Sequence, residues 1–280
     1  MDIAAATSIP KDQVFRSTRW LAIFIIPFLV TASAILLIWP GDTGKLFAWP
    51  IKPPITAMML GSAYMGGIYF FTRVVFARQW HTIKGGFLPV TTFAGLLAIA
   101  TVLHWDKFTP GSISFITWAG IYFVTPFLVF GVWWFNRSVD FHQPDVEERL
   151  IPRWLCWLLG AAGVIEVAIG LLLFFIPAMM ITIWPWTLTP LTARVLGAMV
   201  TLPGIVQINM ALDSRWSSAK VPVEAQAFSL VFILISAARD WKSFNPANVG
   251  TYIFVGGLGA LLVFLVGLHL WMQSQPARIK

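Results

Sequence analysis

The sequence predicts an all-α integral membrane protein with eight transmembrane helices, built as two parallel four-helix repeats. Three observations predict this fold class: the composition, the length of the apolar blocks and an internal similarity between the two halves. Of the 280 residues, 58% are apolar and only 11% are charged, whereas about a quarter of the residues in soluble domains are charged. This composition indicates a protein whose solvent is the lipid bilayer.

The apolar residues occur in blocks of about twenty, which is the helix length needed to cross about 30 Å of hydrocarbon. The blocks lack the apolar-polar alternation of a barrel strand, and a helix satisfies its own backbone groups in lipid. We therefore expect helices. The eight predicted spans are 19–39, 55–77, 86–105, 115–135, 154–176, 191–212, 221–240 and 249–271.

The domain organisation follows from the spans and the charged segments between them. We expect a tail at 1–18, a first four-helix repeat at 19–135, a charged linker at 136–152, a second repeat at 153–272 and a tail at 273–280. Acidic and histidine side chains in the linker show no recognised spacing of metal ligands, so we expect a solvated linker without a metal. These side chains are Asp140, His142, Asp145, Glu147 and Glu148.

Basic residues are concentrated in every second loop, which sets orientation through the positive-inside rule. We expect both termini, the linker and the loops with Arg78 and Arg215 to be cytoplasmic, with only Lys45, Lys52 and Lys107 among the bases of the first half on the other side. Tryptophan favours the headgroup region. All 15 Trp residues lie near a predicted span end, which predicts aromatic belts at both surfaces.

The two halves share rare residues at a nearly constant separation. Trp216 follows Trp80 by 136 positions, and "DWKSFNP" follows "HWDKFTP" by the same separation. Earlier in the unit the separation is 135 for Trp49 with Trp184 and 134 for Trp20 with Trp154. Each unit holds an even number of spans, so we expect parallel repeats related by a pseudo-twofold axis along the membrane normal.

Several classes of function lack support in the sequence. A single cysteine, Cys156, excludes an intramolecular disulfide or a CxxC redox pair. The net charge of +7 comes from bases scattered at span ends without a basic patch, so we expect no nucleic-acid partner. No set of nucleophile, histidine and carboxylate indicates a catalytic site, and the sequence identifies no cofactor.

Ionisable and amide side chains inside spans form the first candidate site, because burying them in hydrocarbon is expensive. Glu166 and Arg194 are predicted at nearly equal depth on neighbouring helices, where they can form a pair. Neither charge has a counterpart in the first half. Gln207 and Asn209 follow on the sixth span and can hydrogen-bond between helices or line a polar pathway.

The second candidate site lies at the corner where the third span of each half leaves the membrane. There the two halves share Trp and Phe but differ in charge, so any functional difference between them is expected here. The residues of this outer-face site are His104, Trp105, Asp106, Arg239, Asp240 and Trp241.

Small residues in "GSAYMGG", "GAAG" and "GGLGA" predict close helix packing. With little polarity in the spans and short loops, the sequence favours an accessory or scaffold subunit that packs with other membrane proteins, pigments or lipids. The alternative is a carrier or binding protein for a small apolar or lipidic ligand at the interface between the repeats. Buried polarity facing a cavity between the halves distinguishes the two hypotheses.

Overall fold

The computed structural model describes residues 12–140 and 148–276 and is all-helical. Eight of its helices are long and apolar enough to cross a membrane, as in a multi-pass membrane protein. The ten α-helices in this part of the chain are α1 (Arg16–Ile38), α2 (Thr43–Leu46), α3 (Pro54–Phe76), α4 (Phe87–Leu103), α5 (Ile113–Asn136), α6 (Arg153–Phe175), α7 (Pro177–Ile183), α8 (Pro190–Leu212), α9 (Trp216–Arg239) and α10 (Val249–Ser274).

The helix bounds differ from the predicted spans mainly at α9, which begins five residues before the predicted start. The first turn of α9 is polar. The Ser217 amide in this turn donates a hydrogen bond to Glu148 Oε1 at 3.1 Å, so Glu148 satisfies a backbone group that has no partner within the helix. The short helices α2 and α7 were not predicted. Parts of the predicted tails and linker, at 1–11, 141–147 and 277–280, lie outside the described residues.

Proline and hydroxyl side chains define several helix starts. Pro54 and Pro190 occupy the first position of α3 and α8, where the missing amide hydrogen costs nothing. Ser112 caps α5 by accepting a hydrogen bond from the Phe115 amide at 3.1 Å. At α8, Thr189 and Thr192 form a reciprocal capping box.

The four helices α3, α4, α8 and α9 form the centre of the bundle, with α3 packed on α9 and α4 on α8. On the periphery, α1 packs on α3, α5 on α4, α6 on α8 and α10 on α9. Helices α3, α5, α8 and α10 end on the same side of the bundle, which we call the Trp80 end. The opposite side is the Trp105 end.

The closest helix contact joins α6 and α8 through facing glycines. A Cβ atom added at Gly197 would lie 2.5 Å from the Gly170 carbonyl oxygen, and one at Gly163 would lie 2.6 Å from that of Gly204. The expectation from "GAAG" is met here. In contrast, the expectation from "GGLGA" is wrong within the described chain, because an added Cβ at Gly256 meets open space.

Tryptophan positions correct the expectation of a belt formed by all fifteen rings. Five indoles lie inside the bundle instead of at its surface: Trp49, Trp80, Trp118, Trp186 and Trp216. Four of them pack on phenylalanines, as Trp186 does on Phe244 at 5.2 Å between ring centroids, and Trp216 packs on His269 at 5.9 Å. Their apolar area thus stabilises the span ends from within.

A buried cluster of charges joins three segments at the Trp80 end. Lys84 Nζ lies 2.5 Å from Asp140 and 2.8 Å from Asp213, and Arg215 contacts both carboxylates. Burial opposes ionisation of Asp213, but hydrogen bonds from Arg215 and Lys84 outweigh it and hold its pKa well below the ordinary value. The cluster therefore ties the loop before α4 to the loop between α8 and α9.

Candidate functional site

A cavity of about 520 Å³ lies between the two halves of the chain and is lined almost entirely by apolar side chains. We call it the central cavity. All eight long helices and α7 contribute to its walls. Apolar clusters close the second half at each end, around Trp216 and Leu268 at the Trp80 end and around Trp186 and Phe244 at the Trp105 end.

Aromatic rings of the first half form one wall of the central cavity. Phe28 and Tyr64 are 6.1 Å apart between ring centroids, and Phe93 lies 6.5 Å from Tyr64 and 6.4 Å from Tyr122. The hydroxyls of Tyr64 and Tyr122 hydrogen-bond to each other at 2.6 Å, so both buried polar groups are satisfied. This wall is therefore rigid and presents ring faces and edges.

Smaller or polar side chains of the second half form the opposite wall, with Val200 on α8, Ser229 and Gln226 on α9 and Leu258 on α10. Ser229 Oγ donates to the Ser62 carbonyl at 2.9 Å and is satisfied. Among the described residues Gln226 makes no side-chain hydrogen bond. Its amide is therefore free to bind a ligand in the cavity.

Glu166 places a carboxyl group on the central cavity, about 20 Å along α6 from the Trp80 end. Gln207 of α8 donates a hydrogen bond from Nε2 to Glu166 Oε2 at 2.8 Å. The Gln207 side chain is buried, with 5% of its surface exposed. This pair brings together two of the four residues of the predicted intramembrane site.

The central cavity opens sideways between α6, α7 and α10. Helix α6 packs chiefly on α8 and α10 chiefly on α9, so no extensive contact joins α6 to α10. Lining residues on all three elements reach the surface: Ile169 is 38% exposed, Ile183 is 60% exposed and Ile253 is 70% exposed. The exposed lining residues there are apolar and lie on the lateral surface of the bundle.

The predicted pair of Glu166 and Arg194 does not form, because Arg194 lies nearer the Trp105 end and side chains of α8 tilt toward that end, away from Glu166. The facing glycines place Arg194 about seven residues, or roughly 10 Å, from the level of Glu166. Arg194 instead donates from Nη1 to His104 Nε2 at 2.6 Å. Burial, followed by the positive charge of Arg194, lowers the pKa of His104, so the imidazole remains a neutral acceptor.

Asn209 lies at the Trp80 end and does not contact the Glu166 pair. Its amide donates to the Gly85 carbonyl at 3.0 Å and joins α8 to the turn before α4. It lines a second cavity of about 580 Å³ together with Lys84 and Asp213. Lys84 bonds to Asp213 there, and this ion pair joins the two halves of the chain.

The outer-face residues act separately at helix ends. Asp240 accepts a hydrogen bond from the Ile55 amide at 3.0 Å and places negative charge at the start of α3. Arg239 donates to the Leu37 and Ile38 carbonyls at the end of α1. Both contacts match the helix dipole, which accounts for these charges as structural.

The remaining outer-face residues are exposed at the two corners. Trp105 is 46% exposed and packs on Phe115, and Trp241 is 43% exposed and packs on Phe244. Asp106 pairs with its neighbour Lys107 at 2.7 Å on the surface.

Two polar groups of the bundle were missed from the sequence. Glu224 of α9 accepts hydrogen bonds from Arg73 at 2.5 Å and from Tyr69 at 2.7 Å, and this ion pair joins α9 to α3. Gln226 lies two residues further along the same helix. Both are polar residues within a predicted span, the same signal that identified Glu166.

We compared the chain with family models, curated proteins and solved structures, and none of them matches it. Function is therefore inferred from the geometry of the chain alone.

Proposed function

We propose that this membrane protein binds an apolar or amphipathic molecule from the bilayer in the central cavity. The observation that carries the proposal is a cavity of about 520 Å³ that both halves line, with apolar clusters packed toward both ends of the bundle and exposed apolar lining residues at its side. Its volume falls within the range of about 300–1,000 Å³ that is typical of small-molecule sites. A bundle that served only as a scaffold would have no need for such a space.

We further propose that the chain is a duplication of a four-helix unit with a pseudo-twofold axis. Helices α3 and α8 begin and end 136 residues apart. Equivalent backbone hydrogen bonds support the proposal: the Trp80 amide donates to Asp12 at 3.0 Å, and the Trp216 amide donates to Arg149 at 2.8 Å. The central contacts of α3 with α9 and of α4 with α8 are also those that such an axis would exchange.

The equivalent contacts favour a separation of 137 in the first span and its loop, in place of the 134 and 135 predicted from Trp20 and Trp49. Trp49 packs on Phe108 at 5.0 Å, and its counterpart on Phe244 at 5.2 Å is Trp186, not Trp184. With this alignment, Glu166 takes the place of Leu29 rather than Ala32.

The separation of 136, which holds beyond the first span and its loop, gives a physical origin for the cavity. Where the first half has Tyr64, Phe71, Phe93 and Tyr122, the second half has smaller side chains at the equivalent positions. Loss of four rings leaves a space that close packing would otherwise fill. The replacements are Val200, Gln207, Ser229 and Leu258.

We also propose that the Trp80 end faces the cytoplasm. Most bases near the membrane, among them Arg78, Lys84, Arg153 and Arg215, lie at this end, as the positive-inside rule requires. Both termini are then cytoplasmic, and the corners after α4 and α9 face the opposite compartment.

Photolabelling tests the binding proposal. The purified protein in phosphatidylcholine nanodiscs is irradiated with a neutral long-chain alcohol that carries a diazirine, and the labelled residues are mapped by mass spectrometry. We expect labelling at Val200 and Leu258 that excess unlabelled alcohol suppresses. Val200→Tyr restores a ring of the first half and should abolish this labelling, whereas Val263→Phe, at a position 74% exposed on α10, should leave it unchanged. Labelling confined to the outer surface in the wild type would refute the proposal.

A role as an accessory subunit is the second candidate, and the outer face of α10 favours it. In an apolar 18-residue stretch of α10, only 11% of the residues are buried. Gly256, Gly257 and Gly267 all face open space. Small residues let a partner helix approach closely. A subunit that remains at a fixed ratio in mild detergent and is released by Gly257→Leu, but not by Val263→Ala, would support this role. A monomer from native membranes would contradict it.

A further inference from the structure

Glu166 is an acid in the membrane whose surroundings provide no counter-ion. Its single hydrogen bond among the described residues comes from the neutral amide of Gln207. An uncompensated carboxylate in hydrocarbon is costly, so the group must either hold a proton or meet a cation that comes from outside the protein. We propose that Glu166 alternates between these two states: it exchanges its proton for a lipophilic organic cation in the central cavity.

The other ionisable groups on the surrounding helices are already engaged or distant. On α8, Arg194 bonds to His104, and on α9, Glu224 bonds to Arg73. His269 of α10 lies 3.7 Å from Glu224. On α6 itself, Arg153 and Cys156 lie at the Trp80 end, and α7 carries no ionisable side chain. Among the described lining residues, Glu166 is therefore the one carboxyl group that the central cavity offers to a cation.

The rest of the cavity has the chemistry that a bulky organic cation requires. The rings of Tyr64, Phe93, Tyr122 and Phe254 line it, and aromatic faces attract cations most strongly where water is excluded. The apolar opening between α6 and α10 admits molecules already dissolved in lipid and discriminates against hydrated ions, which would lose their water. A quaternary ammonium or phosphonium ion with apolar arms meets both conditions.

The exchange balances one proton against one cation. Protonated Glu166 releases H⁺ when the cation binds, and the resulting carboxylate pairs with the bound charge. While the free carboxyl is protonated, affinity should rise by up to about tenfold per pH unit, because each binding event releases one proton. The proposal rests on the proposed binding function and adds to it the charge and class of the ligand.

The test uses tetraphenylphosphonium with the full-length protein in nanodiscs of zwitterionic phosphatidylcholine. Calorimetry in two buffers of different ionisation enthalpy measures both affinity and protons released. We expect saturable binding that strengthens as pH rises, with one proton released per cation at the acidic end of the range. Glu166→Gln should weaken binding at least about tenfold and abolish its pH dependence, since the amide cannot ionise. Asp106→Asn, the same change on the exposed corner, should behave as the wild type.

A second variant and the neutral photolabel keep the two proposals distinguishable. If Glu166→Gln does not fold, Glu166→Asp retains the acid, and it should bind more weakly but with the same pH dependence. If the neutral alcohol labels the cavity while the phosphonium does not bind, or binds equally well to Glu166→Gln, the exchange is refuted and the binding function stands. If neither probe reaches the cavity, both proposals fail.

Discussion

The hydroxyl pair of Tyr64 and Tyr122 allows a clean test of how the aromatic wall is held. Both side chains are buried, and their oxygens lie 2.6 Å apart between α3 and α5. Tyr122→Phe keeps every ring contact, including the 4.2 Å approach to Trp118, but leaves the Tyr64 hydroxyl without a partner. Replacing both tyrosines by phenylalanine removes the pair without leaving a polar group alone.

The magnitude follows from the environment. In a water-soluble core, a buried hydroxyl that loses its partner costs about 1–3 kcal/mol. Between membrane helices the measured values average about 0.6 kcal/mol and reach about 1.7, because the unfolded chain in lipid also finds partners. We expect each single variant to lose about 1 kcal/mol, and the double variant to lose less than the two singles combined.

Reversible unfolding in mixed micelles of increasing sodium dodecyl sulfate measures all four proteins of this cycle. A coupling free energy near 1 kcal/mol is the expected result, with the sign of a favourable interaction. Additive losses would mean that the hydroxyls act independently. That result would refute the argument that the hydrogen bond, and not ring packing alone, fixes this wall.

Two further predictions concern the joints of the bundle. The pKa of Asp213 is lowered in the folded state, so its contribution to stability is present above the ordinary carboxyl range and is lost as pH falls below about 4. Acid should therefore begin to destabilise the wild type in that range. Asp213→Asn should be less stable at neutral pH, and its stability should depend less on pH. Identical profiles of stability against pH for the two proteins would contradict the reasoning. Gly197→Ala should destabilise the protein by about 1–3 kcal/mol in the same unfolding assay, because the added Cβ would meet the Gly170 carbonyl. Gly256→Ala should leave the stability unchanged, because its Cβ would meet open space. Equal losses in the two variants would refute this packing.

The eight spans were predictable because each apolar block had to be long enough to cross the hydrocarbon. The start of α9 was not, because its polar first turn is stabilised by Glu148 from a distant segment of the chain. The short helix α7 also escaped prediction, since its seven residues resemble the end of the preceding span. Helix ends that depend on distant partners leave no local signal.

The candidate site was predictable in part. Glu166 and Gln207 stood out as polar residues in spans, and they do form a pair. The expected partner Arg194 was wrong although the ends of both spans were predicted to within one residue, because Arg194 lies about seven residues from the level of Glu166 and bonds to His104. The cavity itself was not predicted, because small side chains such as Val200 and Leu258 do not show by themselves whether neighbouring helices fill the space beside them.

Electron cryomicroscopy of the protein in lipid nanodiscs tests the central claim most directly. The account predicts density from a non-protein molecule in the central cavity, between the Tyr64 wall and Val200, that continues outward between α6 and α10. Val200→Tyr should remove that density. A wild-type map in which α6 and α10 meet and side chains fill the space between the halves would contradict the account.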